Sequence, residues 1–108
     1  MPRLAPRLRL FGMARSTILN EKAAAIRALV RRHRAANPRV FGSVLHGRDN
    51  IESDIDILVD PLPGATLFDL GALQMDLQDL LGTPIDLLTP LDLPGAFRSR
   101  VVAEARPI

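Results

Sequence analysis

The stretch Asp54-Ile-Asp-Ile-Leu-Val-Asp60 alternates acidic and apolar residues, with one interruption at Leu58. An alternation of period two is the signature of a strand, because successive side chains of a strand point to opposite faces. Ile55, Ile57 and Val59 therefore share a face suited to packing on a core. Asp54 and Asp56 project together from the other face. Leu58 lies on that acidic side, so this side is not simply solvent.

The remaining elements arrange themselves around this strand. Residues 16–36 read as a helix, with Ser16, Thr17 and Asn20 as possible N-caps and Glu21 in the first turn. Ile26, Leu29, Val30 and His33 make its apolar face, Arg27, Arg31 and Arg34 line another, and Asn37-Pro38 ends it. Arg39-Val40-Phe41 reads as a short strand running into Gly42-Ser43. Residues 43–48 suit a turn of helix and 49–53 a polar loop. Pro61-Leu-Pro-Gly64 closes the acidic strand. Thr66 caps a helix over 66–81, in which Leu67, Leu70, Leu73, Leu77, Leu80 and Leu81 recur at helical spacing. Gly82-Thr83-Pro84 breaks it, Ile85 to Leu88 form another strand, and Leu93-Pro94 opens a final helix near 94–105. The order helix, strand, strand, helix, strand, helix implies an α/β (α+β) domain, a small mixed sheet flanked by helices. A length of 108 residues suits one such domain. Residues 1–15 read as a flexible basic N-terminal tail, with Met13 as an alternative start, and residues 16–108 as the domain.

Composition removes several kinds of chemistry. Without cysteine there is no disulfide, thiolate metal site or cysteine nucleophile. Without tyrosine in this chain, any chemistry that modifies a tyrosine must act on another protein. With no tryptophan and only four phenylalanines, base-stacking platforms for single-stranded nucleic acid are nearly absent. The net charge of +2 argues neither for nor against nucleic acid, and the helix arginines read as a solvated face, so direct nucleic-acid binding is disfavoured. No apolar run is long enough to span a membrane, and the basic N-terminus lacks an apolar region of signal-peptide length. A cytoplasmic location is the default expectation.

The chemistry concentrates in residues 41–60. Two carboxylates about 5 Å apart repel by about 3 kcal/mol at an effective dielectric of about 20. A cation removes that cost, and hard oxygen ligands on one strand suit Mg2+, which completes its shell with substrate phosphates. Two such ions can activate an attacking oxygen and stabilise a leaving one. Asp86, between Ile85 and Leu87, is a candidate third carboxylate, since an acid at the centre of an apolar strand is expensive unless paired or bound to metal. Gly42 lets backbone approach a phosphate closely, and the Ser43 hydroxyl with nearby N–H groups can grip phosphate oxygens. His46, Arg48 and Ser53 lie in the same connection, with Arg48 the natural neutraliser of phosphate charge.

Gly42-Ser43, ten residues, then Asp54-Ile55-Asp56 resembles the signature of the DNA polymerase β-like nucleotidyltransferase superfamily. With the short chain, it looks like the minimal nucleotidyltransferases, especially the MntA-type antitoxins paired with HEPN-domain (HepT-type) toxins. The resemblance covers roughly residues 16–108. It implies a polymerase β-like nucleotidyltransferase fold, a triphosphate held by Gly42 and Ser43, two Mg2+ ions on Asp54 and Asp56, and Asp86 as the third catalytic and metal-binding carboxylate. It also implies transfer of AMP from ATP to a tyrosine of a HEPN ribonuclease toxin, silencing it. Relatives often carry arginines soon after Gly-Ser, in a pattern like GSRARG, whereas this chain has Val44 and His46 there.

Other readings stay open. The two aspartates could line a solvated edge strand, Asp86 could be a strand-end carboxylate with a local partner, and His46, Arg48 and Ser53 could be structural or solvated. The acceptor could be RNA or a small molecule such as an antibiotic, or the chain could be a non-catalytic antitoxin that retains the fold.

Overall fold

The computed structural model describes residues 15–42 and 55–108. Helix α1 spans Arg15–Glu21, α2 Ala23–Arg32, and strand β1 Ala35–Phe41. Strand β2 is Ile55–Pro61, helix α3 Leu67–Leu81 and strand β3 Ile85–Leu88. A 3-10 turn, Pro90–Asp92, leads to helix α4, Gly95–Glu104, and the short strand β4, Arg106–Pro107. The sheet order is β3-β2-β1-β4. β1 runs antiparallel to β2 and β4, and β2 runs parallel to β3, so the sheet is mixed as expected.

Each face of the sheet has its own core. Ile55, Ile57 and Val59 of β2 and Ile85 of β3 pack with Ile26 and Val30 of α2 and with Leu73, Leu77 and Leu81 of α3. The last three recur every fourth residue, one stripe along a helix. On the opposite face Leu58 joins Phe41, Leu93 and Val101 in a smaller cluster with Leu88 and Ala105 against it. Leu58 interrupts the alternation of β2 because this second core claims it.

Helix α3 has the local chemistry its sequence announced. The Thr66 N–H donates to Asp69 Oδ2 (2.8 Å) and the Asp69 N–H to Thr66 Oγ1 (3.3 Å), a reciprocal capping box. At the other end Gly82 sits at φ 68° and its N–H donates to the Gln78 carbonyl (2.8 Å). Leu67, the first of the expected leucines, is 84% exposed and lies off the buried stripe, as Phe68 does at 89%.

The segment expected as one helix over 16–36 is corrected to two helices and part of a strand. The helix breaks at Lys22, and Ser16, Thr17 and Asn20 lie inside α1, which starts too early for any of them to cap it. α2 stops at Arg32 because Arg34 takes φ 61° and turns the chain. Ala35 and Ala36 then pair with Pro61 and Asp60. Asn37-Pro38 does not end the helix but forms a bulge within β1, where the ladder shifts between Ala36 and Arg39. Proline cannot donate to a ladder, and asparagine tolerates the φ of 57° found at Asn37. The Ile108 N–H donates to the Pro38 carbonyl (2.9 Å), which ties the bulge to the end of the chain. His33 leaves the apolar face and caps α2, with its Nε2 bonded to Asp76 Oδ2 of α3 at 2.7 Å. Among the described residues no helix is long and apolar enough to cross a membrane.

The difference between stripe and surface is measurable. Leu77→Ala should lower unfolding free energy by about 2–5 kcal/mol in urea titrations. Leu67→Ala should stay within about 0.5 kcal/mol. Equal losses would mean that α3 packs in a different rotation.

Candidate active site

Asp56 sits at the start of β2, which is flanked by β1 on one side and β3 on the other. In register it faces Phe41 of β1 across one ladder and Asp86 of β3 across the other. Adjacent strands lie about 4.8 Å apart and cross-strand partners share a face, so the two carboxylates emerge side by side. Both are on the face of the smaller core, opposite the face covered by α2 and α3. Asp56 is half-buried and Asp86 exposed.

Gly42, directly after Phe41, takes φ +76°, the left-handed region. Its backbone lies against the Asp56 carboxylate. A Cβ at this position would collide with Asp56 Oδ2 and stand 3.2 Å from Cγ. The sequence suggested a glycine here for close approach to phosphate. The structure adds a second reason: only glycine leaves room for the Asp56 side chain.

The argument that Asp86 must be paired or metal-bound to offset burial is corrected, because its side chain is solvated. Its placement beside Asp56 is what singles it out. A local partner for it is also absent among the described residues. Asp54, Ser43, His46, Arg48 and Ser53 lie outside the described residues, as do the expected helical turn at 43–48 and the loop at 49–53. Of the eight expected site residues the structure thus brings together three, Gly42, Asp56 and Asp86.

The supports of these three are residues that the sequence did not single out. The Ile85 N–H donates to Gln78 Oε1 (3.2 Å), pinning β3 to α3, and the Ile55 N–H donates to the Pro84 carbonyl (3.2 Å), setting β3 against β2. Beyond β3, the Thr89 N–H donates to Asp92 Oδ2 (2.9 Å). Arg98 then reaches from α4 to the carbonyls of Pro90 (2.7 Å) and Leu93 (3.0 Å). The Thr89-x-x-Asp92 spacing was a legible capping signal. The contacts of Gln78 and Arg98 had no signal, since each joins separate elements. Further along the acidic face, Asp60 is engaged by Arg39 Nη2 (2.7 Å) and Asn37 Nδ2 (3.1 Å), which gives it a structural tie.

Elsewhere a cleft of about 410 Å3 lies between α2 and the β1–β4 edge, with Arg27, Arg31, Pro38 and Ile108 in its wall. Neither Gly42, Asp56 nor Asp86 lines it. Two of the arginines expected on the first helix make backbone contacts, Arg27 of α2 to Ile108 O and Arg34, in the turn beyond α2, to Gly64 O, each at 3.3 Å. That fits a structural and solvated role.

The mixed sheet with its flanking helices is the fold of a nucleotidyltransferase. The chain belongs to the family "Polymerase beta, Nucleotidyltransferase", which matches residues 26–108. It is 32% identical over 87 residues to "Putative protein adenylyltransferase MJ0435" of Methanocaldococcus jannaschii, covering 81% of this chain and 94% of that protein. A solved structure described as a "putative minimal nucleotidyltransferase" superposes with a TM-score of 0.79 at 38% identity, over 89% of this chain and 97% of the other. A toxin–antitoxin crystallised with AMP-PNP shares the fold, with a TM-score of 0.62 at 23% identity over 74% of this chain and 66% of that one.

Gly42→Ala tests the crowding at the site. A left-handed alanine costs about 1–2 kcal/mol, so the variant should fold with a modestly lowered Tm. Nucleotidyl transfer should fall far more, because the Asp56 carboxylate must move. Activity that merely follows the lowered stability would count against this contact.

Proposed function

We propose that this chain is a Mg2+-dependent protein adenylyltransferase acting as an antitoxin, which transfers AMP from ATP to a tyrosine of a HEPN-type ribonuclease toxin. The observation that carries the reading is the register of Asp56 between the Gly42 turn and Asp86. It gathers a phosphate-approach turn and two acids on one face. The relative named as a protein adenylyltransferase and the toxin–antitoxin of like fold with AMP-PNP support the substrate and the partner.

The donor set fits a hard divalent cation, since Asp56 and Asp86 offer carboxylate oxygens from adjacent strands and Asp54 precedes Asp56 by the strand period. Asp54, Asp56 and Asp86 would hold Mg2+, which supplies neutralisation of the triphosphate charge. Gly42 and Ser43 would bind the phosphates through backbone N–H groups and the serine hydroxyl, with His46, Arg48 and Ser53 completing the grip. Asp86, exposed at the edge of the sheet, would orient the acceptor hydroxyl and take its proton. The acceptor oxygen then bonds to the α-phosphorus as the bond to the bridging oxygen breaks and pyrophosphate leaves. Positioning and charge neutralisation account for most of the rate. Because the chain contains no tyrosine, a tyrosine acceptor is external.

Incubation with α-labelled ATP, Mg2+ and the protein encoded by the adjacent gene tests this. Label should appear on that protein, vanish with EDTA and return with added Mg2+. Asp54→Ala/Asp56→Ala should abolish it, and Asp86→Asn should lower kcat by about 10²–10⁴-fold. Label on RNA or a small molecule would replace the protein acceptor. Neutralisation of the toxin by the double variant would sink catalysis as the explanation.

A further inference from the structure

We propose that the acceptor polypeptide docks as an added strand on the outer edge of β3, with its hydroxyl-bearing residue opposite Asp86. This rests on the reading of Asp86 as the acid that meets the acceptor. Among the described residues β3 is the last strand of the sheet on that side. Two hydrogen bonds fix which of its main-chain groups face outward. The Pro84 carbonyl accepts from Ile55 of β2, whereas the Ile85 N–H turns away from β2 to reach Gln78. Main-chain direction alternates along a strand, as side chains do. Asp86 and Leu88 therefore direct their N–H and carbonyl groups at β2, and Leu87 directs both of its own outward. Among the described residues nothing bonds to the Leu87 N–H or carbonyl.

Such an edge is a template for strand addition, which natural sheets usually blunt with a charge, a proline or a bulge. Here the prolines stand outside the strand, at Pro84 and Pro90, and the single charge is Asp86. The free pair of groups is flanked by Gln78 at one end and by the turn bearing exposed Leu91 at the other. That length admits a short extended segment rather than a further permanent strand.

The geometry connects edge and chemistry. A strand added here lies about 4.8 Å from β3, and its residue opposite Asp86 points to the same face as Asp86 and Asp56. Main-chain bonds to Leu87 would give affinity without regard to sequence, and the alternate side chains would give specificity. The class of acceptor is therefore a peptide in extended conformation bearing a hydroxyl side chain. A folded RNA or a small molecule has no strand to offer this edge.

Leu87→Pro removes the outward N–H and keeps the β2–β3 ladder, since its own N–H is not used there. Leu87→Ala removes the side chain and keeps the N–H. With the adjacent-gene protein as acceptor, Leu87→Pro should raise the KM for that protein by about tenfold or more, while ATP affinity by calorimetry matches that of Leu87→Ala. A KM equal to that of Leu87→Ala would overturn the proposal. Amide exchange in the wild-type chain gives a reading that does not depend on either variant folding. Exchange at Leu87 should slow on adding the adjacent-gene protein, and unchanged exchange would overturn the proposal. If the wild-type chain labels no protein while Leu87 becomes protected, strand docking stands and the transfer reading fails. Labelling without protection at Leu87 has the reverse meaning.

Discussion

Strand β2 is enclosed on every side, and the rest of the chain is arranged to enclose it. Ile55, Ile57, Leu58 and Val59 have no exposed surface, and β1 and β3 take up both of its ladders. Two helices cover one face, and Leu93 with Val101 of α4 packs on Leu58 on the other. Burying these four branched side chains contributes about 1.5–3 kcal/mol each, a large share of what holds a domain of this size together. It also makes β2 rigid. Asp56, the second residue of β2, is thereby carried on a strand that is paired on both edges and buried at four of its positions.

From that rigidity the site follows. Asp56 cannot move along the sheet without shifting Ile55 and Ile57 out of the core, because a one-residue slip would exchange the two faces. Asp86 comes to it by register with β3, and β3 is held at both ends, by Gln78 at Ile85 and by the Thr89–Asp92 and Arg98 bonds just beyond Leu88. Gly42 closes the third side by lacking a side chain. The three groups come from two strands and the turn after a third, yet each is placed by main-chain pairing or by a backbone turn. Such placement is more exact than long side chains alone would give.

Much of this could be read in the residues themselves. The alternation at 54–60, the cap at Thr66 and the stop at Gly82 depend on neighbours within a few positions, and each was legible. So was the spacing from Gly42-Ser43 to Asp54-Ile55-Asp56, which points to the nucleotidyltransferase family without any coordinates. The segment from Lys22 to Pro38 read wrongly because two alanines at 35 and 36 are good helix formers, and local propensity extended the helix through them. Pairing with Asp60 and Pro61 draws them into β1 instead. Strand β4 had no signal, since two residues, one of them proline, carry no periodicity.

By itself the sequence determined the class of chemistry: carboxylates at strand spacing, a glycine and serine ahead of them, no thiol, and no tyrosine of its own to modify. These are properties of residue types and short intervals, which survive any uncertainty about packing. Only the tertiary structure decided that Asp86 stands in register with Asp56, that Gly42 is bound by the bulk of that carboxylate as well as by its own φ, and that the Leu87 main-chain groups beside Asp86 point away from β2. Those facts depend on which strands lie side by side and in what register. That is settled by the burial of Ile55, Ile57, Leu58 and Val59 between two cores, a sum over the whole chain that no short window contains.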